Sequence, residues 1–367
     1  MLDQVLDKEL IELRYSNIYR ELPRVTRYDA GYMVYHDGKK LISFSCNNYL
    51  GLIGHPLLKK SAIDAINLYG VGAGASRMVT GDNILYYSLE SKLAKLYNKE
   101  KALVFSSGYL ANIGIISTLV NRHDMIISDK SVHSSIIDGI KLSQAKNYRF
   151  KHNDYLDCEY ILKKYRNLHR RCLIIVEQIY SMDGDIAPTK QLKMLAEKYD
   201  AWLVIDCAHS FGLMMHCDAD IYIGTLSKAV GVLGGYVCAS EIVIKYIQNK
   251  ARTFIYTTAL PPMIIAAANS ALDIIGESVI DIPIKLARFF CNDLDFPEPN
   301  SHIVPIIMKD VTAVLHAQKI LKEEGFLVIA IRPPTSPTPR LRFVFNASHK
   351  LSDVKRLCKV LKQKKIV

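Results

Sequence analysis

The sequence predicts an α/β protein: a mostly parallel central sheet with helices on both faces, joined to a smaller α+β domain. Three observations carry this expectation. Between about residues 60 and 245, short β-rich runs alternate with longer amphipathic stretches, the pattern of successive strand–helix units. Several of those runs are apolar throughout, as strands covered on both faces must be. Two further segments, one near each end of the chain, read as antiparallel and lie outside that block.

Taken in order, the first 24 residues mix acidic, basic and apolar side chains at helical spacing, which predicts a surface helix and not a signal or transit peptide. YMVYHDGKKLISFS (32–45) reads as an antiparallel segment. The strands expected for the central sheet are ALVFSS (102–107), MIISD (125–129), CLIIVE (172–177), WLVID (202–206), IYIGT (221–225) and GGYVCAS (234–240). The Pro261–Pro262 pair breaks any helix running through it and is expected to mark the crossing to the second domain. The later series SHIVPIIM, AIRPP and LRFVF supplies more antiparallel strands. The expected organisation is an arm and small-domain segment over 1–45, a large domain over 46–258 and a small C-terminal domain over 259–367.

Composition narrows the functional classes. Half of the 367 residues are hydrophobic and 23% are charged, enough apolar material for a sizeable core. No apolar run is long enough to span a membrane, so a cytoplasmic location without membrane partners is expected. The formal net charge of +11 is spread along the chain without a nucleic-acid-binding signature, and the basic run Lys362–Lys365 reads as a solvated helix end. Eight cysteines show no CxxC pair and no zinc-type spacing, so they are expected to be reduced, mostly structural thiols, and no metal is expected.

In an open α/β sheet, ligands bind beyond the carboxyl ends of the strands, so the polar residues just after each strand matter most. Ser106-Ser107-Gly108-Tyr109 follows the first of them and opens an apolar helix, a turn whose free N–H groups suit a phosphate. Asp206 ends the WLVID strand, with Cys207-Ala208-His209 after it. Ser227-Lys228 follows IYIGT, ahead of a glycine-rich stretch. A carboxylate that keeps a pyridine nitrogen protonated and an amine that forms a Schiff base are what pyridoxal 5′-phosphate (PLP) chemistry needs. Asp129 leads to Ser131-Val132-His133, which could lay an imidazole over a planar ring, and Glu177 leads to Tyr180-Ser181-Met182-Asp183-Gly184-Asp185.

These segments, with Asn47-Asn48-Tyr49-Leu50-Gly51-Leu52, the GAGASRMVTG stretch from Gly72 to Gly81, DCAHSFG, TLSKAVGVLGG, YTTALPP and AIRPPT followed by RLR, make the chain resemble the α-oxoamine synthases from about residue 20 to its end. The resemblance implies the fold-type I class of PLP-dependent transferases. It implies Lys228 as the cofactor lysine, Asp206 as partner of the ring nitrogen and His133 as the stacking ring. His209 and Ser181 match residues near the phenolic oxygen, and Ser107, Gly108, Tyr109 and Thr225 match the phosphate cup. Thr257 and Thr258 match a segment that reaches the neighbouring subunit's phosphate, which implies a homodimer with shared active sites. Arg342 matches the arginine that grips the amino acid carboxylate, Asn47 and Glu177 match other pocket positions, and Arg20 resembles an N-terminal arginine near the acyl substrate.

Within the family, the Ala330–Thr335 string is similar to the branch that condenses L-alanine with pimeloyl-CoA or a pimeloyl-acyl carrier protein. The alternatives are relatives that make 5-aminolevulinate, 2-amino-3-ketobutyrate or sphingoid bases, or a catalytically silent subunit. The chain also departs from the pattern: only 18 residues separate His209 from Lys228, and Cys207 stands where the family usually has a second Asp. The loop between Thr335 and Arg340 is short as well. These departures leave the cofactor residues intact and bear on acyl-chain selectivity.

Overall fold

A computed structural model describes residues 2–22, 24–28, 33–36, 38–213, 217–275 and 277–367. Its strands are β1 (Val25–Tyr28), β2 (Met33–His36), β3 (Lys39–Ser43), β4 (Lys101–Phe105), β5 (Met125–Asp129), β6 (Lys146–Phe150) and β7 (Cys172–Glu177). They continue as β8 (Trp202–Asp206), β9 (Ile221–Thr225), β10 (Gly235–Ala239), β11 (Ile303–Ile307), β12 (Phe326–Leu327), β13 (Ile329–Ile331) and β14 (Arg340–Val344). The chain divides into two compact units, one of residues 1–51, 181–184 and 282–367 and the other of 52–180 and 185–281.

The second unit holds a seven-stranded sheet in the order β4-β10-β9-β8-β7-β5-β6. β10 runs antiparallel to β4 and β9, and the other neighbours pair in parallel. Every residue of β5, β7 and β9 is buried, which is why these strands are apolar up to the polar residues at their carboxyl ends, Asp129, Glu177 and Thr225 among them. One core gathers Leu103, Phe105, Ile126, Leu173, Val204 and Ile223 from the strands with Ile115, Ile116, Ile136 and Ile140 from the helices Gly108–Leu119 and Ser134–Ser143. The sequence does not announce β6: KNYRF mixes polar and aromatic residues, because an edge strand has only one neighbour and keeps part of its surface in water.

The first unit is built from both ends of the chain. β1-β2-β3-β12 form one sheet and β11-β14-β13 another. β12 pairs in parallel with β3, Phe326 opposite Ile42, which stitches the C-terminal segment to the N-terminal one. Phe44, Phe290, Phe326, Phe343 and Phe345 meet in a single core. The N-terminal helix Leu2–Tyr15 buries none of its residues. The Pro261–Pro262 pair does not mark the crossing between units. Pro262 instead begins the helix Pro262–Ile274, where a missing N–H costs nothing, and that helix belongs to the second unit up to residue 281. Among the described residues no helix is long and apolar enough to cross a membrane.

The Phe343 ring is fully buried, with its centroid 5.1 Å from that of Phe290. Phe343→Ala is therefore expected to destabilise the first unit by about 3–5 kcal/mol, read as a lower urea midpoint in equilibrium unfolding.

Candidate functional site

Parallel strands that end together put their following residues on one edge of the sheet. In the second unit the residues after β4, β5, β7, β8 and β9 line a cavity of about 240 Å³. It brings together Ser107, Gly108, Tyr109, His133, Glu177, Asp206, His209, Thr225 and Lys228, nine of the positions singled out from sequence. Asn112, Ser135, Ala208, Gly224 and Ser227 complete the lining.

The floor is built around carboxylates. Asp206, at the end of β8, accepts hydrogen bonds from Asn112 Nδ2 at 2.8 Å and from the Ala208 N–H at 2.8 Å. Asn112 Nδ2 also donates to Ser135 Oγ at 3.0 Å, so one amide braces the carboxylate and the turn after β5 together. The sequence assigns Asn112 no role, because nothing in one helix residue announces a partner 94 positions away. Glu177 stands directly opposite Asp206 in the parallel β7–β8 register and is only 3% exposed. Burial first, and then the adjacent Asp206 charge, push its pKa well above the usual carboxylate range, against the opposing pull of Lys228.

The walls carry the nitrogen bases. Lys228 Nζ lies 2.7 Å from His209 Nε2, within hydrogen-bond distance, so the imidazole aims the amine. His133 caps the helix Ser134–Ser143, its Nδ1 accepting from the Ser135 N–H at 3.2 Å. A neutral ring in that role carries its proton on Nε2. Burial lowers the His133 pKa, with Asp206 opposing and Lys228 assisting, which favours the neutral form.

At the far end, Ser107 caps the helix Gly108–Leu119, its hydroxyl accepting from the Leu110 N–H at 3.2 Å. The first-turn N–H groups of such a helix have no intrahelical partner and face a positive dipole end. The Thr225 hydroxyl lies 2.8 Å from that of Ser227 and donates to the Gly234 carbonyl at 2.9 Å. Space is tight here: a Cβ on Gly235 would fall 2.4 Å from the Ser107 carbonyl carbon, and one on Gly108 would fall 3.0 Å from Thr225 Cβ. A helix N-terminus with hydroxyls for a phosphate, a braced carboxylate, an imidazole wall and an aimed amine fit PLP in every part.

Thr257 and Thr258 do not line this cavity. They border a separate cleft with Arg77, Tyr86 and Ser106, and the Thr258 carbonyl accepts from Ser106 Oγ at 3.3 Å. Four expected positions belong to the first unit. Arg342, on β14 and 7% exposed, donates through Nε to the Ser181 carbonyl and through Nη1 to Asn47 Oδ1 at 3.3 Å, while Nη2 is buried without a partner among the described residues. Its neighbour Arg340 is instead ion-paired with the Asp183 carboxylate and also donates to the Met182 and Thr338 carbonyls. Arg20 donates to Thr335 Oγ1 at 2.6 Å. The short loop between His209 and Lys228 includes residues 214–216, which lie outside the described residues.

Because folding raises the Glu177 pKa, its contribution is fully present below the unfolded value and is lost as pH rises through the folded one. Glu177→Gln should remove that loss. The variant is expected to hold its thermal midpoint more nearly constant than the parent between about pH 5 and pH 8, where the raised Glu177 value lies, measured by differential scanning calorimetry on protein free of PLP.

Comparison with known proteins assigns the family. The model of the family "Aminotransferase class I and II" matches residues 39–361. The 8-amino-7-oxononanoate synthase of Methylocella silvestris is 45% identical over 339 residues, covering 89% of this chain and 97% of that protein. Its namesake in Beijerinckia indica is 43% identical over 375 residues, covering 98% and 97%. A serine palmitoyltransferase of S. paucimobilis, solved with a bound PLP–myriocin aldimine, superposes with a TM-score of 0.89 at 26% identity, covering 99% of this chain and 98% of that one. The chain belongs to the aminotransferase class I and II family and, within it, to the α-oxoamine synthases.

Proposed function

We propose that this protein is an 8-amino-7-oxononanoate synthase, which uses PLP to condense L-alanine with a pimeloyl thioester and releases carbon dioxide and the free thiol, a step of biotin biosynthesis. The observation that carries the reading is identity of 43–45% over nearly the whole chain to proteins of that name. The composition of the cavity supports it.

In this reading the Ser107–Tyr109 turn, Thr225 and Ser227 hold the phosphate, and Asp206 faces the ring nitrogen. His133 packs on the ring. PLP, when bound, supplies the electron sink for the negative charge that develops on the amino acid Cα. Lys228, aimed by His209, takes the Cα proton as general base and returns it before product release. Asn112 keeps Asp206 in place through the cycle. Arg342 takes the alanine carboxylate, since its buried Nη2 is unpartnered and its donors meet only neutral oxygens, whereas Arg340 already holds the Asp183 carboxylate. Asn47 orients that guanidinium, Ser181 and His209 address the phenolic oxygen of the cofactor, and Arg20 reads the acyl group.

Two further features belong to the proposal. A homodimer with shared active sites would cover the exposed apolar residues strung along one stretch, among them Leu57, Ile63, Leu68, Val71, Val79, Ile84 and Tyr87, and would let Thr257 and Thr258 serve the partner's phosphate. Eight unpaired cysteines suit the reducing cytoplasm.

The test is to incubate the protein with PLP, L-alanine and either pimeloyl-CoA or pimeloyl-acyl carrier protein and to identify 8-amino-7-oxononanoate by mass. Product from L-serine and palmitoyl-CoA instead would replace this assignment with a sphingoid-base synthase. Lys228→Ala is expected to fold and bind PLP yet lose at least about 10³-fold in turnover. Arg342→Lys keeps the charge but loses the fork, so the KM for alanine should rise about tenfold with a smaller change in kcat, measured by steady-state kinetics.

A further inference from the structure

His152 and Asn153 follow β6, the strand that sequence did not reveal, and no role in the proposed reaction involves them. Both nitrogens of the His152 ring meet carboxylates: Nδ1 lies 2.9 Å from Asp129 Oδ1 and Nε2 lies 2.7 Å from Asp185 Oδ2. Asn153 doubles both ties, its N–H donating to Asp129 Oδ2 at 2.8 Å and its side-chain amide to Asp185 Oδ2 at 2.8 Å. Asp129 is fully buried at the end of β5 and also accepts from the Ser131 N–H at 2.7 Å, two residues before His133. Asp185 closes the turn after β7, its carbonyl accepting from the Tyr180 N–H at 3.0 Å. The Tyr180 ring stands edge-on to the imidazole with centroids 4.4 Å apart.

Two carboxylates on opposite ring nitrogens require a doubly protonated imidazole. They do not converge on a point as metal ligands would, and no group of residues suited to a metal occurs among the described residues. Burial opposes the charge, but the hydrogen bonds to Asp129 and Asp185 outweigh it and lift the His152 pKa to about 10.

We propose that His152 is a positioning residue of the cofactor pocket: its imidazole ties together the segments that follow β5, β6 and β7 and thereby fixes where His133 stands. The inference rests on the PLP reading of that pocket. It differs from a purely structural bridge because the tie to Asp129 ends on the backbone that leads to His133.

Three measurements on the full chain test it. In the 15N-histidine-labelled wild type without PLP, the His152 ring should stay doubly protonated through neutral pH, and titration near the ordinary value of about 6.5 would overturn the bridge. In His152→Gln, the Kd for PLP should rise about tenfold or more, the His133 ring resonances should shift, and far-UV circular dichroism should be unchanged. Asp185→Asn, which loosens only the outer tie, should give a smaller change in the same direction and carries the test if His152→Gln does not fold. A lowered thermal midpoint with the PLP Kd and the His133 resonances both at their wild-type values would reduce His152 to a stabilising contact and overturn the proposal. Wild-type protein that bound no PLP would refute the functional reading instead, leaving the His152 and His133 resonances to decide the bridge.

Discussion

The buried carboxylate of Asp206 is the constraint around which the rest of the cavity is arranged. A carboxylate taken out of water needs compensating donors, and Asn112 and the Ala208 N–H provide them. The Asn112 amide then reaches on to Ser135, and Ser135 to His133, so the helix after β4 and the helix after β5 are held in one polar network. The parallel register next door places Glu177 beside the same charge, and two adjacent buried carboxyl groups cannot both ionise cheaply. Burial and that neighbouring charge together raise the pKa of Glu177.

The backbone makes this arrangement possible by ending five parallel strands on one edge. Their carboxyl ends supply an acid, a base, a capping imidazole and a helix N-terminus without any long loop. Glycine matters at one contact in particular: β10 passes so near the Ser107 carbonyl that Gly235 has no room for a side chain. The first unit follows a different logic. There the arginines of β14 are buried among neutral oxygens and one carboxylate, and the difference between them is charge pairing, Arg340 being held by Asp183 while Arg342 buries an unpartnered Nη2.

How well each element could be read from sequence followed its environment. Strands covered on both faces, such as β5, β7 and β9, are apolar runs that turn polar only at their carboxyl ends, and they stand out. β6, on the edge, mixes Lys, Asn, Arg and aromatics and does not, and His152 and Asn153, which follow it, stay hidden with it because no strand end marks them in the sequence. β12, two residues long, carries too little pattern to be seen at all. In sequence Pro261–Pro262 reads as a break between units because proline ends helices, whereas its other property, a preset backbone at a helix start, is the one in use.

By itself, the sequence determined the α/β class, the chemistry-bearing residues at successive strand ends and, through motif resemblance, the family and its cofactor. Those properties are local: apolar runs, turn residues and short ordered motifs survive in one dimension. Only the tertiary structure decided which side chains brace the others. Asn112 on Asp206, Glu177 beside it, the unpaired Nη2 of Arg342 and the bridge from Asp129 through His152 to Asp185 all depend on strand register and on atoms brought within 3 to 4 Å by folding, and no spacing along the chain encodes them.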